Sequence, residues 1–143
     1  MLPYHHSQTG WVLILSLLTA VAGIMLLLAS RPSFALVLAG FLGVLLLLFH
    51  SMTVRVDPEQ VQVWFGAGLI RRRIPLRRIR SHRIARNAWY YGWGIHFFPG
   101  GVLYNVSGMS SVELVLDNGR LFRIGTDEPE TLASALSHAS GHR

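Results

Sequence analysis

Two long apolar runs open the chain, and almost nothing separates them. Trp11 to Ser30 is a stretch of 20 residues without a charge, rich in Leu, Val, Ile and Ala. Phe34 to Met52 follows, again uncharged, and only Arg31-Pro32-Ser33 stands between the two. A helix rises about 1.5 Å per residue, so a run of this length reaches about 30 Å, the depth of a bilayer core. Helices joined by so short a link must lie antiparallel, side by side. The sequence therefore predicts a transmembrane hairpin with spans 11–30 and 34–52, a loop at 31–33 and an N-terminal segment at 1–10. Gly23, Gly40 and Gly43 are expected to pack the two helices together. A soluble helical pair would need apolar cover on all sides, and nothing later in the chain supplies it. A cleavable leader is the other reading, since Ala20-Val21-Ala22 resembles a cleavage site. Against it, the first ten residues hold no Lys or Arg, and a second apolar run follows at once.

Charge sets the orientation. Only 14% of residues are charged, against roughly 25% in soluble domains. All 13 basic residues are arginine, and there is neither lysine nor cysteine. Schiff-base chemistry, a phosphate-loop lysine, disulfides, thiolate metal sites and a cysteine nucleophile are thereby excluded. Arg31 is the single formal charge before residue 51, whereas eight arginines fall between Arg71 and Arg86 with no acid among them. Positive charge collects on the cytoplasmic side of membrane proteins. Both termini are therefore expected in the cytoplasm and the hairpin loop outside. Trp11 and Tyr4 fall where an aromatic belt would lie.

Beyond the second run the pattern changes to short alternating segments. Val54–Val56, Val61–Phe65, Ile79–Ala85, Gly94–Phe98, Val102–Val106, Ser111–Leu116 and Arg120–Ile124 read as about seven strands. Asp117-Asn118-Gly119 is the clearest hairpin turn. A closing helix is expected after Asp127, with Asp127 and Glu130 forming a capping box and Pro129 in the first turn. Its apolar face is Leu132, Ala135, Leu136 and Ala139. Strands closed by one amphipathic helix make a small barrel or sandwich with a helical plug, over residues 53–143.

Two segments carry a resemblance: Gly68-Leu69-Ile70-Arg71-Arg72-Arg73-Ile74-Pro75-Leu76-Arg77-Arg78-Ile79, and Trp93-Gly94-Ile95 with Leu103-Tyr104-Asn105-Val106-Ser107-Gly108. With the order of elements, they resemble bacterial pleckstrin-homology-like domains, and more closely small bacterial membrane proteins with two spans followed by such a domain. Val54 to Ala139 carries the likeness. It implies a PH-like barrel of antiparallel strands in two roughly orthogonal sheets, capped by one C-terminal helix, at the cytoplasmic membrane of a bacterium. It implies no enzyme, and in some members the domains assemble into rings or larger oligomers.

The arginine block offers an anionic-lipid platform through Arg71, Arg72, Arg73, Arg77 and Arg78, where each basic group near the leaflet gains about 1 kcal/mol. The other reading is a solvated face that only fixes topology. Trp89-Tyr90-Tyr91 are three aromatics in succession, so strand alternation leaves at least one outside for lipid or a partner. Trp93, Phe97 and Tyr104 are expected in the core. The histidine pairs His5-His6 and His138 with His142 lack a third ligand, so no metal and no cofactor are expected. None of the seven acids sits in an active-site motif, and nothing resembles a nucleic-acid-binding motif. The expected role is a non-catalytic, membrane-anchored module that binds a protein partner while resting on anionic lipid. The alternative is a structural subunit whose β domains self-assemble as a homo-oligomer.

Overall fold

In a computed structural model that describes residues 3–141, the polar segment before the first apolar run is a strand. This β1 (Tyr4–Thr9) leads into α1 (Trp11–Leu27), and α2 (Pro32–Phe49) leads into β2 (Ser51–Val56). β1 and β2 pair antiparallel from Tyr4↔Val56 to Thr9↔Ser51. Beyond the last pair, the Gly10 N–H donates to the His50 carbonyl at 2.8 Å. The helical hairpin is thus inserted at the tip of a β-hairpin, and each helix continues a strand.

The helices differ from expectation at their ends. α1 stops at Leu27, because a turn through Leu28–Ser30 precedes Arg31, whose place before Pro32 disfavours helix. Pro32 then opens α2, where no N–H is needed. Ser51 and Met52 belong to β2, and Met52 is fully buried in the β core. Among the described residues, α2 alone, at 18 residues, is long and apolar enough to cross a membrane by length and composition; α1 has 17. No residue of α1 is buried and only Ala35 of α2 is. The expected glycine packing is absent: a Cβ at Gly23, Gly40 or Gly43 would meet nothing within 4 Å.

The β domain continues with β3 (Gln60–Phe65), β4 (Ile70–Pro75), β5 (Ile79–Arg86), β6 (Gly94–Phe98), β7 (Gly101–Asn105), β8 (Ser110–Leu116) and β9 (Leu121–Gly125), closed by α3 (Pro129–Ser140). One sheet has the order β1-β2-β3-β4 and the other β5-β8-β9-β7-β6. β1 and β4 are the strands that the alternation of the sequence does not reveal. β7 pairs with β9 in parallel, so the second sheet is mixed rather than antiparallel throughout. The reason is connectivity: β7 reaches β8 by a short loop, yet β9, antiparallel to β8, lies between them.

The core fills the space between the sheets. Val61, Val63 and Phe65 supply one inner face, and Val112, Leu114 and Leu116 face them from β8 at the two-residue spacing of a strand. Leu132, Leu136 and Ala139 of α3 are buried against this core, while Ala135 is half-buried. The capping box does not form. Glu128 is the N-cap without a side-chain capping bond; its N–H donates to Thr126 Oγ1 at 3.1 Å, while Asp127 turns to His6. The turn at Asp117–Gly119 joins β8 to β9, with Gly119 at φ +80°, a backbone region that glycine enters freely.

Candidate functional site

Register defines the two ends of the β domain. Thr9, Ser51, Phe65 and Ile70 lie at the helix-proximal end, and Val56, Gln60 and Pro75 at the other. The β3–β4 turn packs under α2: Gly66 has φ +50°, and a Cβ there would meet the Leu47 carbonyl at 2.8 Å. Leu69, at the end of that turn, is 83% exposed. Across the domain, Trp89–Tyr91 forms a 3₁₀ turn between β5 and β6. A hollow of about 270 Å³ there is lined by Val12 of α1 with Trp89, Trp93, Asn105 and Met109. Trp89 is 81% exposed, and Tyr90, Trp93 and Met109 are exposed as well. Around the base of the helical hairpin the protein thus carries a collar of uncovered apolar and aromatic side chains, which Trp11 extends onto α1.

The collar is held by buried polar groups. Asn105, at the end of β7, donates through Nδ2 to the carbonyls of Gly92 and Gly108, each at 3.1 Å, and accepts from the Ser107 N–H at 3.2 Å. Ser107 Oγ donates to Gln8 Oε1 at 2.9 Å, and Gln8 Nε2 donates to the Gly125 carbonyl at 2.6 Å. One network therefore ties both collar loops to β1 and β9. Neither Gln8 nor Asn105 stands out in the sequence as a site residue: Gln8 meets partners about a hundred positions away, and Asn105 bonds mainly to loop backbone atoms that no side-chain motif marks.

Of the aromatic triplet, Trp89 and Tyr90 are exposed. Tyr91 lies on the outer face of β6, with its ring 4.6 Å from that of His96. The exposure comes from the 3₁₀ turn and not from strand alternation. Phe97, expected in the core, is 78% exposed at a sheet edge, and Trp93 belongs to the collar. Only Tyr104 packs as expected, 5.2 Å from Phe65 and 5.0 Å from Phe122 between ring centres. Tyr4 lies away from the helix junction, five residues along β1 from Thr9, about 17 Å at the strand rise. Its hydroxyl donates to Glu128 at 2.6 Å, and burial first, then this bond to a carboxylate, pushes its pKa up.

The arginine block does not form one surface. Arg71, Arg72 and Arg73 are exposed along β4, a sheet edge. Arg71 lies nearest the collar, with its guanidinium 4.7 Å from the centre of the Trp64 ring. Arg86, at the end of β5, enters the Trp89 turn. Arg77 and Arg78 follow Pro75 at the far end, where Arg77 borders Pro58 and Glu59 and Arg78 pairs with Asp117 at 3.3 Å. Arg83 lies mid-strand, bound to Glu113.

Two histidines tie elements together. His82 Nε2 lies 3.1 Å from the Ala133 carbonyl and from Ser137 Oγ, joining β5 to α3, and His6 Nε2 is 2.7 Å from Asp127. His138 is 2.8 Å from the Ser134 carbonyl, and His142 lies outside the described residues. Among the described residues no group of three His, Asp or Glu could hold a metal ion. No model of a known protein family matches the chain, and no characterised protein matches it.

Proposed function

We propose that the chain is a non-catalytic, membrane-anchored module of a bacterial inner membrane. The helical hairpin crosses the bilayer, both termini are cytoplasmic, and the β domain, of the pleckstrin-homology-like type, binds a protein partner while its collar rests on the anionic leaflet. The observation that carries this reading is a coincidence at one end of the β domain. Both helix junctions, the exposed Trp89, Tyr90 and Trp93, and Arg71 with Arg86 all lie there. Aromatic rings prefer the headgroup level and arginines the anionic surface, so this end matches an interface in both chemistry and position.

Support for crossing comes from the uncovered apolar surface of both helices, which water would not tolerate at this size. Helices of 17 and 18 residues reach about 26 and 27 Å, and a bilayer adapts to that shortfall at fractions of a kcal/mol per Å. The four- and five-stranded sheets with a C-terminal helix agree with the PH-like resemblance in outline. The far end and the unpaired edges of β4 and β6 stay free for a partner.

The chain has no cysteine, so single introduced thiols report topology without background. Ser30→Cys is expected to react with an impermeant maleimide in intact spheroplasts, and Asn118→Cys only after lysis. The reverse pattern, or equal reaction at both, overturns the reading. Self-assembly is read separately from the mass of the solubilised complex: one defined multiple of the chain favours the ring-forming subunit.

A further inference from the structure

The two sheets are bridged where β4 turns into β5, but the other edge of β4 and the free edge of β6 have no strand partner. Between them lies a cleft of about 640 Å³, within the range of small-molecule sites. Ile95, Val102, Tyr104 and Phe122 form its floor, and no acidic residue lines it. Its two cationic groups are Arg72 and Arg120, and neither forms an ion pair among the described residues.

Arg72 alternates with Ile70 and Ile74, so it stands on the inward side of an edge strand. An inward charge there can simply guard the edge against unwanted strand pairing. Arg120 has no such role, since it belongs to the β8–β9 loop and yet borders the same cleft. A guard explains one arginine; an anion explains both. The guanidinium fork suits phosphate or carboxylate oxygens, and the apolar floor suits a hydrocarbon chain. The cleft also has a direction. Tyr104 lies 5.2 Å from Phe65, which lies 5.0 Å from Phe49 at the foot of α2, so the Tyr104 end faces the hairpin and the Arg120 end faces away.

We infer that this cleft binds a single-chain anionic lipid of the lysophosphatidate class, its chain along Ile95, Val102 and Tyr104 and its phosphate on Arg72 and Arg120. The inference rests on the hairpin standing in a bilayer, which supplies the lipid. The test uses the full chain in nanodiscs of zwitterionic lipid doped with a lysophosphatidate that carries a diazirine at the chain end. The matching monoacylglycerol serves as the neutral probe. After irradiation, mass spectrometry is expected to find adducts on residues 95–104 from the phosphate probe and none there from the neutral one. The cleft adducts are expected to be lost in Arg72→Gln/Arg120→Gln and in Val102→Trp, which fills the floor. Should Val102→Trp fail to fold, the arginine pair decides alone, since both side chains are exposed. Adducts on α1 and α2 without any in the cleft, equal cleft labelling by the neutral probe, or labelling indifferent to the arginines overturns the inference and leaves the membrane reading standing. No adducts on either helix from either probe overturns both.

Discussion

Glu113 lies on β8, one strand in from the β5 edge of the second sheet, 1% exposed, with an arginine on the strand to each side. Arg83 Nε donates to Oε1 and Arg123 Nε to Oε2, both at 2.7 Å. Burial alone would raise the carboxyl pKa; the two hydrogen bonds and the two positive charges outweigh it and hold the group below the usual carboxylate range. A lowered folded pKa stabilises the protein fully above the unfolded value of about 4.3, and the contribution fades as pH falls through the folded value. The melting temperature is therefore expected to drop on acidification below about pH 4.3, and Glu113→Gln should flatten that part of the profile. Because it leaves two cations facing a neutral group, Glu113→Gln is expected to cost about 3 kcal/mol in chemical denaturation. Arg83→Gln should cost under about 1 kcal/mol, since that side chain is 69% exposed and screened by water. Equal losses at the two sites would contradict this account. Asn105 governs the collar in a different way. Asn105→Ala leaves two loop carbonyls and one N–H without their partner, a cost of about 1–3 kcal/mol. Amide exchange is expected to quicken at residues 88–93 and 107–109 while β8 stays protected.

The junction between the hairpin and the sheet makes its own prediction. Thr9 and Ser51 are directly opposed, so replacing Gly10–His50 with Asn-Gly closes the same pair with a two-residue turn. The product should be soluble, with a circular dichroism spectrum dominated by strand, and an aggregated or unfolded chain would refute the weld. A fragment beginning at Met52 should be less stable, because it lacks β1 and the bonds from Gln8 to Gly125 and Ser107. The sequence reveals the hairpin, seven strands and the closing helix because each carries a local signal, whether an unbroken apolar run, a two-residue alternation or an amphipathic face. It hides β1 because its inward residues are Tyr4, His6 and Gln8, whose polar ends meet partners more than a hundred positions away. It hides β4 because three arginines mask the inward row of Ile70, Arg72 and Ile74. The aromatic triplet is legible as exposed, but the collar is not, since Leu69 on one side and Trp93 with Met109 on the other reach the same end of the domain only through the fold.

At the scale of the whole molecule the proposed function has a direction: one end of the β domain at the leaflet, the other in water. Arg71 to Pro75 spans about 14 Å of strand, beyond the Debye length of about 8 Å at physiological salt. Arg77 and Arg78 should therefore contribute little to leaflet attraction. In the helix-less variant, Arg71→Gln with Arg86→Gln is expected to weaken binding to anionic vesicles by about 2 kcal/mol, near thirtyfold, at about 1 kcal/mol per charge. Arg77→Gln with Arg78→Gln should leave it nearly unchanged. The direction itself is read most directly by fluorescence quenching of the full chain in nanodiscs whose lipids carry bromine near the headgroup. In one variant Trp89 is the sole tryptophan; in the other the four native tryptophans are replaced and Asn118→Trp puts the probe at the far hairpin. The account predicts strong quenching at position 89 and none at 118. Equal quenching at both positions, or none at 89, would contradict it.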